Sequence, residues 1–248
     1  MQWWEYAQLW GIVALASLCQ NLTGFAFALI FVGVVGALDV LPIAEAANVA
    51  GILSLVNGVV YLRHHPVQPR WDVLKPLASG TVLGVVGGLV LLHWLSGHAM
   101  QVLRVLLGLA IIGCAVVLLL QKVAQRQPSG RCATWMAGIS AGVLSGLFST
   151  AGPPLVYHLY RQPLPGGVVR QCLVLLFLLS GTLRLGVVLA LGELSWHAVL
   201  VSAVAVPVVA LVTWAVAKHP PPLPQRLLQW LVCGLLVLAG VSLLLSGR

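Results

Sequence analysis

Charge is what this sequence has least of: Asp, Glu, Lys and Arg make up 7% of its 248 residues. A soluble domain carries about 25%, so none fits here. The longest polar connection, roughly His64 to Asp72, is too short to fold alone. Acidic side chains are the scarcer sign, five against thirteen basic ones. All five (Glu5, Asp39, Glu45, Asp72 and Glu193) fall near segment edges. No carboxylate therefore stands where a cation pump or proton relay needs one. Cysteine is sparse and scattered: Cys19, Cys114, Cys132, Cys172 and Cys233 show no C-x-x-C spacing and lie in or beside apolar segments. There they act as small hydrophobes, which excludes a thiolate metal site or a redox pair. His64-His65, His93, His98, His197 and His219 occupy loop positions without zinc-type spacing, and no nucleotide, haem or flavin motif occurs. No metal and no cofactor is expected. Met1 to Tyr6 holds Glu5 and no Lys or Arg, and no small-residue cleavage site follows. A cleavable signal peptide is not expected.

What remains is apolar. Hydrophobic residues make up 60% of the chain and the mean hydropathy is +1.03, which describes an all-α polytopic membrane protein. The formal charge of +8 does not point to nucleic acid, because basic residues that flank membrane spans set orientation. Six segments reach the roughly 20 apolar residues a span needs: about 43–62, 73–95, 101–121, 166–191, 196–217 and 225–246. Pro42, Pro165 and Pro224 sit at or near span starts, where a missing backbone N–H is harmless.

Two further apolar segments, roughly 6–38 and 133–160, carry polar interruptions: Gln20-Asn21-Leu22-Thr23-Gly24 and Ser149-Thr150-Ala151-Gly152-Pro153-Pro154. Each unsatisfied backbone group costs several kcal/mol in hydrocarbon, so a helix breaks there only inside protein or beside a cavity. The breaks also belong to a longer pattern. Thr23-Gly24 aligns with Thr150-Ala151 at an offset of 127, Asn57-Gly58 with Ser180-Gly181 at 123, Trp71 with Trp196 at 125, and Leu118-Leu119-Leu120 with Leu243-Leu244-Leu245 at 125. Two homologous repeats of about 124 residues, 1–124 and 125–248, follow. Each holds one broken or re-entrant segment and three transmembrane helices.

Topology follows from Lys and Arg. If each broken segment crosses once, seven basic residues share one side and five the other, which is no bias. If both are re-entrant hairpins, Arg63, Arg70, Lys75, Lys122, Arg126, Arg131, Arg161, Arg170, Lys218 and Arg226 share one side. Only Arg104 and Arg248 then face the other. Ten against two obeys the positive-inside rule, with both termini outside. A hairpin plus three spans reverses direction, so the second repeat becomes inverted relative to the first. Inverted repeats with broken helices at the midplane form a transporter architecture. The arms of the first hairpin, about 14 residues each, would reach roughly 21 Å.

The two tips supply the candidate substrate site: Gln20, Asn21, Thr23 and Gly24 from the first, with Ser149, Thr150, Gly152 and Pro153 from the second. Thr23 is a candidate N-cap for a half-helix starting near Gly24. Helix N-termini aimed at one volume attract anions, although kinks eased by neighbouring helices would look the same in sequence. Arg184 is the one ionisable residue deep within a clear span, and such residues face the bundle interior and mark functional pathways. Snorkelling towards the span end is the alternative. Asn57, aligned with Ser180, could add a polar contact. Asn48, Ser54, Ser180 and Thr182 read as interhelical hydrogen bonds. His158 is the candidate proton-linked group, against a plain packing histidine. Gly80-x3-Gly84-x3-Gly88 and Gly138-x3-Gly142-x3-Gly146 read as packing ridges.

Thr23-Gly24-Phe25-Ala26-Phe27-Ala28-Leu29-Ile30 resembles the first signature of the sulfite exporter TauE/SafE family of membrane transporters. Gly142-Val143-Leu144-Ser145-Gly146-Leu147-Phe148, followed by Gly152-Pro153-Pro154-Leu155, resembles the second. Arg170 and Arg184 also match the family's habit, whereas Ser149-Thr150-Ala151 departs from its richer glycine run. The resemblance covers essentially the whole chain. It implies secondary transport, generally outward, of sulfite or organosulfonates across the bacterial inner membrane, and seven or eight spans. The partners expected are a small inorganic or organosulfonate anion and the lipid bilayer, without nucleic acid; a homodimer is the one assembly considered. The alternatives are a carrier or channel for another small anion and a non-transporting membrane assembly factor. No enzyme activity is expected, because His, Asp, Glu and Cys do not cluster at membrane depth.

Overall fold

A backbone in hydrocarbon must satisfy its own N–H and C=O groups, and the long apolar segments do so as helices. The computed structural model describes residues 3–23, 25–38, 40–64, 70–98, 100–119, 129–219 and 225–245. Among these the order is α1 (Trp3–Thr23), α2 (Phe27–Ala37), α3 (Ile43–His64), α4 (Trp71–His98), α5 (Met100–Leu119), α6 (Arg131–Phe148), α7 (Gly152–Arg161), α8 (Gly166–Ala190), α9 (Trp196–Lys218) and α10 (Gln225–Leu245). The described residues contain no strand. Among the described residues four helices, α3, α4, α8 and α9, are long and apolar enough to cross a membrane. The chain is a multi-pass membrane protein. Both interrupted segments are broken helices, as the sequence suggests, but their arms are unequal. The first has arms of 21 and 11 residues where about 14 each was expected; the second has 18 and 10.

Contacts between elements fix two ends of the bundle. At the near end the start of α3 meets the start of α9: Glu45 Oε1 lies 2.7 Å from His197 Nδ1 and accepts from Ser195 Oγ at 3.0 Å. At the same end His93, late in α4, pairs with Glu193 after α8 at 2.8 Å. At the far end Ser129, just before α6, donates its N–H to Gln162 Oε1, just after α7, at 3.2 Å. The chain thus enters α6 and leaves α7 at one end. Arg170, five residues into α8, donates to the Leu22 carbonyl near the close of α1 at 2.9 Å. A guanidinium there faces the negative end of the α1 dipole. α2 then carries the chain back towards the start of α3.

Two helix pairs are antiparallel. In α3 and α8, Gly58 lies against Leu178, and Gly181 against Leu55. In α5 and α10, Cys233 donates to the Ala115 carbonyl while Gly240 lies against Ile112. A third pair is parallel and far closer. Gly80, Gly84 and Gly88 of α4 face Gly138, Gly142 and Gly146 of α6. A Cβ added at any of the six would collide with a carbonyl oxygen of the opposite backbone. The glycine ridges are packing surfaces, and α4 and α6 touch backbone to backbone.

Candidate functional site

Both helix breaks are made by non-glycine residues in left-handed backbone. Ala26, the N-cap of α2, has φ 83° and Ser149, the C-cap of α6, has φ 57°; no other described non-glycine residue has positive φ. Each costs roughly 1–2 kcal/mol relative to right-handed backbone, and such residues persist where their surroundings impose them. The first break comes later than expected. Thr23 closes α1, and the N-cap of α2 is Ala26, which offers no side-chain hydrogen bond. The first N–H groups of α2 therefore lack helical partners.

The two tips touch. A Cβ on Gly152 would stand 3.3 Å from a Phe25 ring carbon and 3.6 Å from Leu29. Between them lies a cavity of about 30 Å³, lined by Gln20, Phe25 to Ala28, Ser149 to Ala151, Gly51 and Ser54 of α3, and Phe177, Ser180 and Gly181 of α8. At ~10–15 Å³ per water, it admits a guest of a few heavy atoms. The N-terminal turn of α2 forms part of its wall and supplies the positive dipole end. Pro153 and Pro154 open α7 and remove two donors that a different sequence would have offered.

Arg184 lies just behind this cavity, not in its wall. Its side chain is 2% exposed. Nε donates to the Gly146 carbonyl at 3.1 Å and Nη1 to Asn48 Oδ1 at 2.8 Å, while Nη2 has no partner. No carboxylate among the described residues forms an ion pair with it. A Cβ on Gly51 would come within 2.8 Å of Ser149 Oγ and 3.8 Å of Arg184 Nη1, so Arg184, Ser149 and Gly51 form one cluster. Ser149 Oγ, Ser145 Oγ and Gln20 Oε1 are also buried without partners. Leaving buried polar groups unpaired costs about 1–3 kcal/mol each. Two of the four, Gln20 Oε1 and Ser149 Oγ, belong to residues that line the cavity, and Arg184 stands directly behind Ser149.

Of the residues singled out from sequence, Gln20, Ser149 and Thr150 line the cavity, and Gly152 and Arg184 adjoin it. Asn21 and Asn57 go elsewhere. Asn21 Nδ2 donates to Thr213 Oγ1 at 3.0 Å and to the Ser17 carbonyl at 2.9 Å. Asn57 donates to Ser17 Oγ at 3.3 Å and accepts from Thr213 Oγ1 at 3.1 Å. These four residues join α1, α3 and α9 in a closed polar network. His158 is not at the cavity either; it bonds Thr134 and Gln162, each at 3.1 Å. Gly24 and the side chains of Thr23 and Pro153 lie outside the described residues. Ser54 and Ser180, read from sequence as interhelical bonds, are in the cavity wall. Ala26, also in the wall, stood out in the sequence only as part of the first signature stretch and not as a site residue.

Comparison with known proteins matches residues 9–243 to the family described as sulfite exporter TauE/SafE. A protein of Cupriavidus necator named "Probable sulfite/organosulfonate exporter TauE" is 32% identical over 226 residues, covering 91% of this chain and 88% of that relative. No solved structure matches the chain significantly.

Proposed function

The chain belongs to the sulfite exporter TauE/SafE family, a family of transporters and not of enzymes, and from that premise we propose that it is a secondary exporter of a small sulfur-containing anion across the bacterial inner membrane. The observation that carries the substrate class is Arg184: a fully buried guanidinium with one nitrogen unpartnered and no bonded carboxylate. An uncompensated buried charge costs several kcal/mol, which an anion in the adjoining cavity would offset. Ser149, Thr150, Gln20 and the first N–H groups of α2 are the ligands in this reading, with Arg184 supplying charge from behind Ser149. The relative's name supports sulfite or an organosulfonate, and the cavity's small volume favours sulfite.

Alternating access needs two units that move relative to each other. The proposed units are inverted repeats, residues 1–124 and 125–248. Exchanging the halves turns α1 into α6, α3 into α8, α4 into α9 and α5 into α10. A two-fold axis in the membrane plane makes each helix antiparallel to its own mate, and α3 with α8 and α5 with α10 pack antiparallel. The same exchange turns the α4–α6 contact into α9–α1, which also packs. The end contacts support the second re-entrant hairpin. His93 and Glu193 meet although α5, α6, α7 and α8 lie between them in sequence, so α6 and α7 together make no net crossing.

Purified protein in proteoliposomes should carry labelled sulfite at a rate well above protein-free vesicles. Unlabelled sulfite should compete and acetate should compete less. Flux equal to protein-free vesicles in both orientations of the gradient would overturn the reading.

A further inference from the structure

We propose that the cleft between α5, α6 and α7 binds one anionic phospholipid, with its phosphate on Arg161 and an acyl chain in the apolar groove beside it. Two cavities adjoin there, and both are separate from the central one. The first, about 390 Å³, is the more polar of the two and lies towards the far end of the bundle, where α6 begins and α7 ends; Ser129, Ser140, His158 and Arg161 are in its wall. The second, about 490 Å³, is apolar. Leu106, Leu109, Ala110 and Gly113 of α5 form one side and Leu144 of α6 the other. Pro154 and Tyr157 of α7 belong to both. The pair therefore forms one cleft, charged at the bundle end and apolar farther in.

That is the profile of a phospholipid leaflet, headgroup outermost and chain below. The charged end is built and not incidental. Arg161 lies over the Tyr157 ring at 4.9 Å and donates to its hydroxyl, which holds the guanidinium at the junction of the two cavities. No carboxylate among the described residues pairs with it; Asp72, the carboxylate of that end, is tied to Arg70 at 2.8 Å. Leu109 and Tyr157 are 56% and 41% exposed, so the cleft opens sideways, towards lipid. Basic pockets between transmembrane helices are recognised sites for anionic headgroups. A free phosphate would use Arg161 and leave the groove unfilled, and a second copy of this chain would have to seat apolar surface against a guanidinium.

The test uses full-length protein purified in detergent and exposed to phosphatidylglycerol or phosphatidylcholine, with retention read by native mass spectrometry. Two variants accompany it. Arg161→Gln removes the charge. Gly113→Leu fills the groove, and a Cβ at Gly113 meets nothing within 4 Å, so that variant should fold normally. Wild-type protein should retain one phosphatidylglycerol per chain in preference to phosphatidylcholine. Retention should fall about fivefold in Arg161→Gln and at least as much in Gly113→Leu, whose melting temperature without lipid should be unchanged. Equal retention of both lipids, unchanged retention in either variant, or displacement by glycerol phosphate alone would overturn the proposal. So would a dimer in which Leu109→Cys cross-links to its counterpart.

Discussion

Two of the seams between the halves of this protein are built from opposite materials. Along α4 and α6 six glycines bring two backbones into contact, with no space for a single added carbon. Along α1 and α9, Ser17, Asn21 and Thr213, with Asn57 of α3, hold the helices through interhelical side-chain hydrogen bonds of 3.0 to 3.4 Å. If the halves are repeats, these seams are equivalent, yet only one can change without disruption. Interdigitated backbones resist sliding because packed surfaces have discrete arrangements. A hydroxyl–amide network can exchange partners at a net cost of about 1 kcal/mol per bond. On the proposed function, the α4–α6 seam is the fixed frame and motion belongs to α1 and its broken partner α2.

The contrast breaks most severely at the glycines. Gly84→Leu should cost at least about 3 kcal/mol, seen as a large fall in melting temperature and loss of the monodisperse peak in gel filtration. Gly87→Leu in the same helix, where an added Cβ meets nothing within 4 Å, should be close to neutral. Equal stability of the two variants would contradict the close seam. On the other seam, Asn57→Leu leaves Ser17 and Thr213 short of a partner and should cost about 2 kcal/mol. Because that seam is the mobile one, the sulfite transport rate should change in Asn57→Leu more than in any glycine-seam variant that still folds. The helix breaks come next. Ala26→Gly relieves left-handed strain and should gain about 1 kcal/mol by thermal melting. Smallest is the near-end rim, where Glu45 contacts Ser195 and His197 in a partly exposed setting. Glu45→Gln should cost below about 1 kcal/mol, and a larger loss would mean that the rim also holds the halves together.

Much of the fold was legible because hydrocarbon leaves a backbone few choices. Apolar length located the long helices, and polar interruptions located both breaks. Arg184 could be singled out because it is the lone ionisable residue within a clear span. Its partners could not, since Asn48 is 136 residues away and nothing local marks it. The same blindness made Asn21 and Asn57 look like ligands: Thr213, which engages both, lies 192 and 156 residues from them. The first break was placed too early because Thr23 looks like a cap. Ala26, which makes the turn, has no intrinsic preference for left-handed backbone, so its role comes wholly from the tertiary packing around the tip. Unequal hairpin arms were hidden for a similar reason, as hydrophobicity continues on both sides of each break.

The most direct test of the central claim is calorimetric titration of sulfite into the purified protein and into Arg184→Gln. Wild-type protein should bind one sulfite per chain, and the variant, with unchanged gel-filtration behaviour, should bind roughly 30-fold more weakly or worse. Sulfite bound with equal affinity by both proteins would contradict the account, because the anion would then not be answering the buried charge.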